Sequence, residues 1–257
     1  MSTREEAQNL ARRLHAYAGG PDVVRKAAAR ELGRHAPDEA VRLVHALQAL
    51  SREGWTPATR VLSAAMAALG LEPQSLPPLQ VLEDSAGAQE LPEVTALFTR
   101  APARQELDRR AAAKADARLF TQPLGHLKQQ ARLTRDPDEL ARLAAVSDPS
   151  VVRNALINPR LTEPLVVRMA ARRPARPEPL VEIWKNPRWS TRHAVRRALV
   201  FNPYLPPEVG VKIVPLLNAA DLEELARDNG VHAALRSQAA LLLGRKGPQG
   251  SADGGAT

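Results

Sequence analysis

Two tryptophans, Trp184 and Trp189, bracket the tetrapeptide KNPR in the most basic stretch of the chain. Arg188, Arg192 and Arg196 follow at intervals of four, which on one helix places three guanidiniums on one face. A guanidinium fork matches a carboxylate or a phosphate, and an indole beside it can stack on a base or hold an acidic peptide. Lys185 and Arg153 complete this candidate binding set. For the tryptophans there is a competing structural reading. In the repeat described below Trp184 aligns with Ala226 and Trp189 with Val231, so both rings would fill gaps between repeats.

The charge is concentrated around these residues. Residues 151–200 hold eleven Lys and Arg against three acids (Glu163, Glu178, Glu182), which accounts for the whole formal excess of +8 in the 257-residue chain. An arginine-rich composition bias is the plain alternative, but bias alone would spread the charge along the chain.

No residue pattern assembles a catalytic or metal centre. Cysteine is absent, which removes thiolate ligands, cysteine nucleophiles and disulfides. The six histidines, His15, His35, His45, His126, His193 and His232, show no HExxH or comparable spacing. GxSxG, P-loop and GxGxxG patterns are missing. Gly19–Gly20 precedes a helix, but no lysine follows at P-loop spacing, so a loop and cap is the better reading. No Asp occurs from 149 to 220, which leaves no Asp there to form an acid/base pair. The expectation is a non-enzyme with no catalytic residue, metal or cofactor. "MSTREEAQNLARRLH" lacks the apolar run of a secretory signal, and no stretch approaches the ~18 apolar residues of a membrane span. A cytoplasmic protein without a membrane partner is therefore expected.

Helices must position the basic set. Alanine, leucine and arginine dominate, aromatics are only 3%, and β-branched runs are few, all of which favours helix over sheet. "VRNALINPRL" from Val152 returns as "VRRALVFNPYL" from Val195. "NPRLTEPLVVRM" (158–169) aligns with "NPYLPPEVGVKI" (202–213), and "LVEIWKNPRW" (180–189) with "LEELARDNGV" (222–231). Offsets near 43 fall in the range of two- or three-helix repeats. Asn-Pro or Asp-Pro at 148, 158, 186 and 202 marks the corners. In the helix expected from near Trp189, Ala194, Val195, Ala198, Leu199 and Phe201 share the apolar half. Arg192, His193, Arg196 and Arg197 share the polar half, and Val200 alone falls on the wrong side.

At "DPSVVRNAL" (148–156) the chain resembles the HEAT and armadillo superfamily: Asp148 opens a helix, followed by Val151, Val152, Arg153, Ala155 and Leu156. "GGPDVVRKAAARELG" (19–33) has the same form, with Asp22, Val24, Arg25 and Ala28. The resemblance covers roughly 136–245, more weakly 3–70, and the Asn-Pro corner is also similar to leucine-rich-repeat-variant solenoids. It implies an all-α, right-handed α-solenoid with a period of about 43. It also implies an Asp–Arg polar ladder between units and an alanine that permits close helix approach. HEAT-like solenoids include DNA glycosylases that use tryptophans and an aspartate on a concave basic face. No Asp lies near either tryptophan here, and Glu182 is a distant substitute.

Residues 1–70 then form an N-terminal helical segment, with starts near Thr3, Pro21, Pro37 and Thr56 and stops at Gly33, Gly54 and Gly70. Residues 71–92, rich in Pro and Gly, form a linker or loop. Residues 93–245 hold the helical array: an alanine-rich helix at about 103–119 and another after TQPLG within 93–133, then the repeats over 136–245; 246–257 is a disordered tail. The functional expectation is an interaction scaffold that binds an acidic protein segment through Arg153, Trp184, Lys185, Arg188, Trp189, Arg192 and Arg196. Nucleic acid is the alternative partner, and a glycosylase-like enzyme a third reading.

Overall fold

Eleven of the described helices and 3-10 turns carry a proline at their first or second position, where it opens the turn rather than breaks it. The first helical N–H has no partner in any case, and the fixed proline φ suits that position. The computed structural model describes residues 2–17, 19–106, 122–144, 146 and 148–244. Those residues hold fifteen α-helices, three short 3-10 turns and no strand.

The first four helices are α1 (Thr3–His15), α2 (Pro21–Arg34), α3 (Pro37–Arg52) and α4 (Thr56–Leu71). Ser2 opens α1 with a capping box to Glu5. Gly54, at φ +84, reverses the chain between α3 and α4 in a conformation only glycine adopts readily. Gly33 and Gly70 lie inside helices rather than ending them. A Cβ on Gly33 would meet the carbonyl oxygen of Ser75 at 2.1 Å, so glycine there permits the following 3-10 turn to lie against α2. Helix α4 is apolar nearly all round, burying Ala58, Val61, Leu62, Ala65, Met66 and Leu69, as a helix surrounded by others must. It packs on α1, α2 and α3.

Residues 71–92 are not a linker. They contain the 3-10 turn Pro73–Ser75 and helix α5 (Leu79–Ala88), which buries Leu82, Ser85 and Ala86 and packs on α3. Two buried apolar side chains suffice because α3 supplies the opposing surface, so the segment needs no sustained period of its own. Helix α6 (Pro92–Thr95) follows. Of the alanine-rich helix expected at 103–119, residues 103–106 are not helical and 107–119 lie outside the described residues, as does the tail.

The remaining helices are each ten residues or fewer. They are α7 (Leu124–Leu133), α8 (Pro137–Ala144), α9 (Pro149–Leu156), α10 (Glu163–Ala171), α11 (Pro177–Lys185), α12 (His193–Val200), α13 (Pro207–Ile213), α14 (Ala219–Arg227) and α15 (Ala233–Leu242). Helices this short do not persist alone, so mutual burial holds them. The pairs α7/α9, α10/α12 and α13/α15 pack together, and α9 also packs on α11.

Two kinds of corner recur. Asn158 and Asn202, 1% and 2% exposed, follow α9 and α12. The Asn158 amide donates to the carbonyls of Ala131 (3.0 Å) and Thr134 (3.1 Å) at the end of α7. The Asn202 amide donates to those of Ala170 (2.7 Å) and Arg172 (3.0 Å) at the end of α10. Each thus closes carbonyls that a helix end leaves open. Each also accepts from the N–H two residues on, Arg160 or Tyr204. Asn186 and Asp228 follow α11 and α14 and make only this local bond, from Arg188 (3.0 Å) and Gly230 (2.7 Å).

The N-terminal helices meet the last described ones. Helix α4 packs on α13, α6 packs on α15, and Arg52 Nη1 donates to the carbonyl of Leu242 at 3.1 Å. One continuous apolar core runs from Ala7 to Leu242.

Candidate functional site

The expected row of three arginines is not a row. Helix α12 begins at His193, not near Trp189, because residues 186–192 are wound into the corner. Trp189 and Ser190 donate their N–H groups to the Asn186 carbonyl, and Arg192 N–H donates to that of Trp189. Arg188 is exposed, stacks on Trp189 at 4.4 Å from the ring centre, and reaches back to the carbonyls of Asn158 and Leu161. Arg192 is exposed and lies 3.8 Å from Glu163. Arg196 points the other way and is only 7% exposed.

Both tryptophans are 3% exposed. Trp189 donates its indole N–H to the Leu156 carbonyl at 2.9 Å, so it joins the corner to α9. An exposed stacking platform is thus replaced by two packed rings, and Trp189 has both its indole N–H and its ring face engaged within the chain.

The register of α12 explains the displacement of Arg196. Helix α9 buries Val151, Val152, Ala155 and Leu156, and α12 buries Val195, Arg196, Leu199 and Val200. Val200, expected on the wrong side, is fully buried, and Ala194, expected inside, is exposed. Matching the letters of the repeated phrase pairs Arg153 with Arg196; matching the buried positions pairs Arg153 with Arg197 and Val152 with Arg196. The ion pairs agree with the second pairing. Arg153 Nε donates to Glu182 on α11 at 2.7 Å, and Lys185 lies 3.3 Å from the same carboxylate. Arg197 binds Asp221 (2.9 Å) and Glu224 on α14. The expected Asp–Arg ladder therefore takes a different form. Asp148 caps its own helix, accepting from Ser150 and Val151 N–H, and glutamates or a later aspartate receive the arginines.

Arg196 borders a cavity of about 280 Å³ between α2 and α4 on one side and α11, α12 and the corner joining them on the other. A stripe along α4, with Thr56, Thr59, Arg60, Ser63 and Ala67 at helical spacing, forms one wall; Trp184, Lys185 and Ser190 are on the other. Arg196 donates through Nε to the Ser190 carbonyl and through Nη2 to Ser63 Oγ, both at 2.6 Å. No carboxylate among the described residues faces it, and burial pushes its pKa down to about 10, so it remains a cation at neutral pH. Arg60 also has no carboxylate partner among the described residues and donates to the carbonyls of His15 and Gly19, both at 3.2 Å. Arg25 and Lys185 are offset by neighbouring acids, Arg25 by Asp22 and Glu72 and Lys185 by Glu182.

Counting charges by region misses half of this site, because Thr59, Arg60 and Ser63 lie outside the basic stretch 151–200. The sequence signal was a polar stripe on the otherwise most apolar helix. Among the described residues no group of His, Cys, Asp and Glu is arranged to hold a metal ion, and no helix is long and apolar enough to cross a membrane. The chain matches no family model, no curated protein and no solved structure.

Proposed function

We propose that the chain is a non-enzymatic interaction scaffold of the cytoplasm, built of HEAT/armadillo-like modules in a right-handed α-solenoid with a period of about 43, and that its basic corners bind an acidic protein segment. The modular reading rests on the recurrence of the buried asparagine corner at 158 and 202, and of the arginine–acid link from α9 to α11 and from α12 to α14.

One observation supports the basic-edge reading above others. Arg188 reaches from its own corner onto the carbonyls of the preceding one, which brings it beside Arg160. Arg160, Arg188 and Arg192 are exposed, and among the described residues only Arg192 has a carboxylate within 4 Å. Exposed forked donors of one sign select and steer anionic partners.

Titration of a fluorescent polyglutamate peptide tests the proposal. The double variant Arg188→Glu, Arg192→Glu is expected to weaken peptide binding by about tenfold or more, while the helical content stays unchanged. Unchanged peptide affinity would remove the proposal. If a generic DNA duplex binds instead, with log affinity falling against log salt at a slope of about −4 to −5, the partner is nucleic acid.

A further inference from the structure

We infer that the cavity between α4 and the α11–α12 corner is a binding site for a small phosphorylated organic molecule, with Arg196 and Arg60 receiving the phosphoryl group. The inference stands apart from the basic edge, which lies at the exposed corners.

At the position of α9 that matches Arg196 the chain places Val152, 1% exposed, so the framework itself asks only for an apolar side chain there. Removing a guanidinium from water without a counter-ion is costly, and two neutral hydrogen bonds offset it only in part. Nη1 makes no hydrogen bond to a described residue, and the side chain borders the cavity. Arg60 supplies a second guanidinium from the same α4 face that carries Ser63, again without an acid. Asp22, Glu72 and Glu182 are each engaged by Arg25, Lys185 or Arg153, so none of them neutralises the pair.

The rest of the lining matches such a ligand. The Ser63 hydroxyl accepts from Arg196 and keeps its own proton to donate to a phosphoryl oxygen. The remaining wall is mostly apolar and includes Trp184, a surface for a flat organic body. Ligand sites combine these two elements: a concave apolar lining and a few convergent polar groups.

Thermal unfolding with phenyl phosphate, inorganic phosphate and benzyl alcohol tests the site. Phenyl phosphate at about 100 times its Kd is expected to raise Tm by about 5 °C or more, inorganic phosphate by less, and benzyl alcohol not at all. Arg196→Leu should weaken phenyl phosphate binding by roughly 10- to 100-fold. Ala67→Leu fills the cavity while leaving both arginines in place, and should abolish binding even if Arg196→Leu fails to fold. No stabilisation by either phosphate, or stabilisation that survives both substitutions, would overturn the inference. Equal stabilisation by inorganic phosphate would overturn the organic part of it, and benzyl alcohol acting alone would overturn the anionic part.

Discussion

Arg196 stands in α12 where Val152 stands in α9, and both are buried. The two substitutions that exchange these characters are not equivalent. Without ligand, Arg196→Leu removes a buried unpaired cation and restores the apolar pattern of the neighbouring unit. Urea unfolding should show stability unchanged within about 1 kcal/mol or raised. Val152→Arg places a cation in a packed position with no hydroxyl or carbonyl prepared for it, and should cost more than about 3 kcal/mol. A strongly destabilised Arg196→Leu would make the guanidinium a structural tie between Ser63 and Ser190.

The two corner types predict two magnitudes. Asn202→Ala strips partners from two carbonyls and one N–H inside the core, and should cost about 2–4 kcal/mol. Asn186→Ala loses one local bond at a half-exposed corner and should cost about 1 kcal/mol. Chemical denaturation of both variants checks the difference; equal costs would mean that the buried amide does not hold the end of α10.

Acid should loosen the link between α9 and α11. The hydrogen bond from Arg153, with Lys185 nearby, holds the Glu182 carboxyl below its usual value of 4.5 against the opposing effect of burial. A carboxyl lowered in the folded state contributes stability fully above its unfolded pKa, and loses it as pH falls through the folded value. Glu182→Gln should therefore be less stable than the parent at pH 7, and the gap should close below about pH 4. Urea midpoints across that range measure it.

A second pH effect has the opposite chemistry and the same direction. His232 caps α15 by accepting the Ala234 N–H on Nδ1 at 3.1 Å, which requires an unprotonated nitrogen. Burial, with Arg104 and Arg236 nearby, lowers its pKa below 6.5. Between the folded and unfolded values the unfolded chain binds the extra proton, so stability falls as pH drops below about 6.5. His232→Asn keeps an acceptor at the cap and should flatten that part of the pH–stability curve.

The helical character, the four N-terminal helix starts and the corners at 148, 158, 186 and 202 were legible because proline and Asn/Asp act locally, through backbone geometry and side-chain caps. Helix α5 was not legible, since its stability lies in α3. The face of α12 was misjudged because an arginine at a buried position reads as a polar face; only the packing of α12 near Ser63 reverses that reading. Of the seven candidate binding residues, Arg188, Arg192, Arg153 and Lys185 are exposed, while Arg196, Trp184 and Trp189 are inside. Residue type indicated their chemistry, but exposure depended on where the corner ended and the helix began.

The bond from Arg52 to the Leu242 carbonyl fastens the third helix to the fifteenth. Tandem proteins ordinarily gain or lose whole modules freely, because each touches only its neighbours. On the modular reading proposed above, such a change would pull the clasp apart, and the number of modules would be set by the span between α3 and α15. Duplicating residues 158–201 should therefore cost the protein the contact of α6 with α15, even though every local interface in the inserted copy would be native.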